Sequence, residues 1–252
     1  MRPKQISFVV LIVAAAAVCI RLGIWQLDRL QQVRAENRAI QQRMDGPPVD
    51  ILDLHGDVKD LIYQPVTVHG TLDADHEVIL SPRTYEDEPG ADLVTPLRIS
   101  GSSEAILINR GWIPYAETSP AARSIYRHSG VVEVTGIVRA SGQLPSFLFF
   151  TTGPTPSPSH PRDIWQAVDI PVIQAQTPYH LLPYYVLQTK PLASGGDQPL
   201  PDSNIELSEG SHFSYAIQWF AFALIALVGG GAWFRRRSSD APSPHPEKPS
   251  TG

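Results

Sequence analysis

Two long apolar runs at opposite ends of the chain constrain its fold more than anything between them. The first covers residues 6–27 (ISFVVLIVAAAAVCIRLGIWQL) and the second residues 213–234 (FSYAIQWFAFALIALVGGGAWF). Each run has 22 residues, about 33 Å as an α-helix, against a bilayer hydrocarbon core of about 30 Å. In hydrocarbon, backbone N–H and C=O groups must be satisfied within the segment, so each run is expected to be a transmembrane helix. Residues 28–212 between them are polar and have a folded-domain composition. The expected fold class is a membrane protein with two transmembrane helices flanking a mainly antiparallel β (α+β) extramembrane domain.

Charge orients this hairpin. The chain carries a formal net charge of −5, yet residues 28–212 alone hold 13 Lys+Arg and 23 Asp+Glu. Arg2 and Lys4 precede the first run, and Arg235, Arg236 and Arg237 follow the second. Positive residues beside short ends stay cytoplasmic, which predicts both termini inside and the domain outside. Arg29, Arg34, Arg38 and Arg43 lie on the outer side, but long domains translocate largely regardless of such charge. The first run has the basic start and alanine-rich core of a signal peptide. Arg21 followed by more apolar residues, and Trp25 as an interfacial anchor, argue instead for a retained helix.

The organisation expected is a cytoplasmic tail at 1–5, a membrane helix at 6–27 and a helical extension at 28–44. A β-rich domain at 45–212 follows, then a membrane helix at 213–234 and a disordered tail at 235–252. The extension has good helix formers with no Gly or Pro until Gly46-Pro47-Pro48, which ends it. In the domain, alternation or short apolar runs predict strands at 63–72, 78–80, 93–99, 105–109, 131–138, 164–168 and 184–188. Turn signals fall at Glu88-Pro89-Gly90, Ser100-Gly101 and Ser129-Gly130. The pattern is that of a compact antiparallel sheet or barrel. Residues 151–162 (TTGPTPSPSHPR) and 193–201 read as loops.

The chain offers little catalytic chemistry. Cys19 is the only cysteine and lies in the first apolar run, so the domain has no disulfide, thiol nucleophile or thiolate metal site. The eight histidines contain no H-x3–5-H pair, so zinc is not suggested. No nucleophile elbow, zinc-protease helix, P-loop or dinucleotide fingerprint occurs. The chain is therefore expected not to be an enzyme, and no nucleic acid is expected as a partner.

His212 stands out by position, at the edge of the second run. A helix starting there carries Tyr215, Ala216 and Trp219 at i+3, i+4 and i+7. An imidazole beside aromatic rings at the hydrocarbon edge could seat a flat, apolar, iron-bearing ligand. Taken alone, an interfacial histidine more usually caps or solvates a helix end. Ala15, Cys19 and Gly23 in the first run, and Ala226 and Gly230 in the second, recur every four residues. Small residues at that spacing let helices approach closely.

Motifs along most of the chain resemble the surfeit locus protein 1 family. Gly23-Ile24-Trp25-Gln26-Leu27-Asp28-Arg29 matches its G-x-W-Q-x-x-R at the end of the first helix. Tyr63-Gln64-Pro65-Val66 with Gly70 is similar to its first strand. Asn109-Arg110-Gly111-Trp112-Ile113-Pro114 matches its N-R-G-W-hydrophobic-P motif, the most specific piece. Pro183-Tyr184-Tyr185 and then His212 to Phe220 resemble the end of the domain and the H-x-x-Y-A-x-x-W return helix. Glu209-Gly210-Ser211 departs from the family's Asn-rich approach to the histidine.

The resemblance implies a non-enzymatic assembly factor of haem-copper cytochrome c oxidase. It implies transient binding of haem a with His212 as iron ligand, and the helix spacing, with Trp25 near the end of the first run, makes Tyr215, Trp219 and Trp25 the expected aromatic residues beside it. Gly23, Gln26, Arg29, Asn109, Arg110, Gly111 and Trp112 are implied as structural or partner-contacting positions. Oxidase subunit I is the implied recipient and haem a synthase a further implied partner, in a bacterial inner membrane with the domain in the periplasm. A second reading is a scaffold that stabilises an oxidase intermediate without touching cofactor. A third, an outward-facing enzyme or sensor, lacks any catalytic constellation.

Overall fold

The first helix does not stop where its apolar run ends. In the computed structural model, which describes residues 3–142, 157–159, 161–193, 199–201, 205 and 207–239, helix α1 runs Pro3–Met44. Residues 28–44 continue it because they contain no helix breaker. A helix at the other end of the chain, numbered α4 below, runs His212–Ser239. Both are long and apolar enough to cross a membrane, over Ile6–Met44 and His212–Arg236. Most of the 151–162 loop and residues 240–252 of the expected tail lie outside the described residues.

The chain divides into two compact units, Met1–Arg38 with Leu207–Gly252, and Ala39–Glu206. In the first, two helices pack along seams with a seven-residue repeat. Ala16, Gly23 and Leu30 are buried on α1, and Ala216 and Ala223 on α4. A seven-residue spacing keeps the same face of each helix on its partner. A Cβ on Gly23 would stand 2.7 Å from the Phe220 ring, so glycine is what lets the backbone approach. The four-residue row expected from Ala15 is not the packed face. Ala15 is exposed and Ala16 takes the buried place, because steps of three and four, not four alone, keep a helix face on its partner.

The second unit is a sheet with strands β1 (Val49–Asp50), β2 (Pro65–Leu72), β3 (Val78–Tyr85) and β4 (Glu88–Ile99). It continues through β5 (Ala105–Pro114), β6 (Val132–Ala140), β7 (Ile164–Trp165) and β8 (Leu181–Gln188). Helices α2 (Val58–Leu61) and α3 (Ile170–Gln174) are single turns beside it. The strand order is β1-β2-β6-β8-β5-β4-β3-β7, and β2 also pairs with β4. Five strands, β2-β6-β8-β5-β4, thus close on themselves, which removes exposed edges. Most pairs are antiparallel, while β5–β8, β1–β2 and β3–β7 are parallel.

β5 shows why its sequence is apolar without alternation. Ile106 and Ile108 join Val66, Val68, Leu97 and Val186 in the core. Ala105 and Leu107 join a second cluster with Trp165, Ile170 and Ile173. A strand covered on both faces has no polar side.

Two local expectations change. Glu88-Pro89-Gly90 is strand, not turn, and pairs with Tyr85, Thr84 and Arg83. The turn is at Glu86 and Asp87, with φ of 48° and 66°; two central residues at positive φ make the hairpin geometry whose twist matches the strands. Gly90 is needed because a Cβ there would meet the Ile113 carbonyl and the Trp112 indole. The strand expected at 164–168 stops at Trp165, and α3 follows with Ile170 and Ile173 buried.

Candidate functional site

His212 opens α4, and its side chain is half-buried. Its Nδ1 lies 2.9 Å from Oε1 of Gln26. A carboxamide oxygen only accepts, so a neutral His212 ring pairs with it through a protonated Nδ1. The imidazole is then the tautomer whose Nε2 bears the lone pair. Among the described residues Nε2 has no hydrogen-bond partner. Gly210, at φ 68°, borders that edge of the ring: a Cβ there would lie 3.5 Å from Nε2.

The segment before His212 is held along α1. Arg34 donates through Nε and Nη2 to the Glu209 carboxylate at 2.9 and 2.8 Å, a fork-to-fork pair. Asn37 Nδ2 reaches the carbonyls of Leu207 and Ser208, each at 3.2 Å. The hydrogen bond from Arg34 holds the Glu209 carboxyl below the usual carboxylate range, with burial opposing. Gln26, Leu30, Arg34 and Asn37 follow one another at helical spacing, which lines them along one face.

The other residues singled out by sequence divide. Ala216 is 1% exposed and Trp219 is half-buried, its ring 6.0 Å from that of Phe222. Tyr215 does not share their environment: it is 47% exposed, because the buried seam follows Ala216 and Ala223 instead. Trp25 is also exposed. Arg29 donates to Gln32 at 3.1 Å, within its own helix. Among the described residues no group of three or more His, Cys, Asp or Glu could hold a metal ion.

Asn109, Arg110, Gly111 and Trp112 belong to the other unit, where they end β5 at a bulge opposite Leu93 and Val94. Asn109 accepts from the Gly111 amide at 3.0 Å and donates to Asp92 at 3.2 Å. Gly111 sits at φ 109°, and a Cβ there would meet the Leu200 carbonyl. Trp112 and Leu200 exchange two backbone hydrogen bonds of 2.9 Å. The motif therefore pins the 200 segment onto the end of β5. Arg110 is 1% exposed. Burial pulls its guanidinium down to about 10 while Glu77 opposes, so it stays charged at neutral pH. Burial raises the Glu77 carboxyl although Arg123 and Arg110 attract its charge. Arg123 bridges Glu77 at 3.2 Å and Asp163 at 2.8 Å.

A cavity of about 390 Å³ lies over this network, bordered by His76, Arg123, Arg127 and Asp163. Its charges are internally paired, Arg127 with Asp75 at 3.0 Å and His76 with Asp73 at 3.0 Å, so they present no strong single sign.

Sequence reasoning missed that Gln26 contacts His212, and that Arg34, Asn37 and Glu209 form a clasp. The one available signal was the spacing of Gln26, Arg34 and Asn37 on a single helix face.

The SURF1 family model matches residues 13–224 of the chain, a span holding Trp25, Gln26, Asn109 to Trp112, His212 and Trp219. A SURF1-like protein of Monosiga brevicollis is 26% identical over 86% of this chain and 84% of its own length. Surfeit locus protein 1 of Mus musculus is 26% identical over 87% of this chain and 72% of its own. A SURF1-like protein of Rickettsia prowazekii is 24% identical over 93% and 91% respectively.

Proposed function

We propose, because the chain belongs to the SURF1 family, that it is a non-enzymatic membrane assembly factor for haem-copper cytochrome c oxidase. In this reading it holds haem a transiently at His212 and assists its delivery to oxidase subunit I, with haem a synthase as a source. The observation that carries the reading is the Nδ1 contact of His212 with Gln26, which leaves Nε2 without a hydrogen-bond partner among the described residues. Haem iron takes a neutral imidazole nitrogen as an axial ligand. The donor set fits: a half-buried histidine at the start of a membrane-length helix, with Trp219 on its own helix and Gly210 adding no side chain to the ring edge. Exposed Trp25 and Tyr215 are aromatic surfaces available to a flat ring. The basic residues outside both spans support a domain on the periplasmic side of a bacterial inner membrane.

The test is a visible spectrum of the full chain purified in detergent from cells that make haem a. The wild type should carry haem and His212→Ala should lose most of it. A wild type without haem, or a variant carrying as much, would sink the haem role. Co-purification with oxidase subunits that persists in His212→Ala would leave the scaffold reading in its place.

A further inference from the structure

We infer that Gln26 is a positioning residue for His212, setting which imidazole nitrogen is available to a ligand; this rests on the haem reading above. Gln26 is 9% exposed and sits between Gly23 and Leu30, both buried in the helix seam. A carboxamide in such a seam is costly unless it has a hydrogen-bond partner. Packing alone would be served by an alanine or leucine. The His212 ring is the partner that Gln26 finds, across 186 positions of sequence.

The consequence for His212 is specific. With Nδ1 donating to Gln26, the ring can neither spin freely nor present Nδ1 to a ligand. Nε2 is the remaining basic atom, and Gly210 keeps side-chain atoms away from it, since a Cβ there would stand 3.4 Å from Cδ2 and 3.5 Å from Nε2. The clasp of Arg34 on Glu209 and Asn37 on Leu207 and Ser208 holds the backbone leading into His212 from the same helix face. Gln26 thus stands to His212 as outer partners stand to metal-ligating histidines generally, fixing tautomer and ring orientation and raising ligand basicity.

The experiment uses the full chain in detergent with haem a as the probe. It reads the dissociation constant by optical titration and the reduction potential of the bound haem. Gln26→Leu keeps the bulk and removes the acceptor; binding should weaken about 10- to 100-fold. Gln26→Glu keeps an acceptor and makes it anionic; binding should persist while the potential falls, because a more basic imidazole favours ferric iron. Wild-type binding in Gln26→Leu, or an unchanged potential in Gln26→Glu, overturns the inference. If Gln26→Leu fails to accumulate, the potential of Gln26→Glu decides alone. His212→Ala separates the two levels: if it binds haem a as tightly as wild type, the haem reading itself falls. If it loses haem while both Gln26 variants behave as wild type, only the role of Gln26 falls.

Discussion

Replacing Gly111 with alanine should be among the most damaging single-methyl changes in the β domain. Two costs combine. A residue with a Cβ at φ 109° is strained by about 1–3 kcal/mol from the backbone alone. The new methyl would also meet the Leu200 carbonyl, driving that segment off β5 and breaking the two 2.9 Å bonds between Trp112 and Leu200, at about 1 kcal/mol each. The loss should reach about 3–5 kcal/mol, or roughly 10 °C in Tm for a domain of this size. Gly130→Ala is the control. Its φ is 83°, but nothing lies within 4 Å of the added Cβ, so only the backbone cost of about 1–2 kcal/mol applies. Thermal scans of the full chain in detergent, followed by tryptophan fluorescence and near-UV circular dichroism, measure both. A Gly111→Ala midpoint no lower than that of Gly130→Ala would refute the crowding argument and the structural role given to the Asn109–Trp112 motif.

Two further outcomes follow from side-chain geometry. Asp73 accepts from Tyr179 at 2.9 Å and meets His76 at 3.0 Å; burial pushes its carboxyl up, but these partners together hold it below its ordinary value. Its stabilisation is thus present above the unfolded carboxylate pKa and lost as pH falls through the lower folded one. Asp73→Asn should cost about 1 kcal/mol at neutral pH after allowing for solvent screening and flatten the acid limb of stability against pH, whereas a parallel acid limb would refute this. In the helix pair, Gly23→Leu should cost about 1–3 kcal/mol by overpacking, because Phe220 stands in the way. Gly230→Ala should cost less, since the facing atom is the mobile end of Ile12. Spin labels on α1 and α4 should report a broader distance distribution only for Gly23→Leu, and equal broadening would contradict the packing described.

Glu88-Pro89-Gly90 has turn chemistry, yet it is drawn into β4 because the backbone of β5 and the Trp112 ring pass where a side chain would be. Glycine answers to a turn and to a close approach alike, and nothing in the local sequence separates them. The same holds for Ala15 and Ala16: either could face a partner helix, and the seam formed with α4 selects Ala16.

What the sequence determined by itself was the part written in local rules. The length of two apolar runs dictates two membrane-length helices, because hydrocarbon leaves the backbone no other economical arrangement. Alternation and apolar runs dictate a β domain between them. His212 is legible as a position, at the edge of a span. The tertiary structure decided that this histidine meets Gln26, which is remote in sequence and reaches it only when the helices pair. It also decided the clasp between Arg34 and Glu209 and the closure of β2 onto both β4 and β6. Hydrogen bonds between residues far apart along the chain follow from packing in three dimensions, and periodicity along the chain carries no record of them.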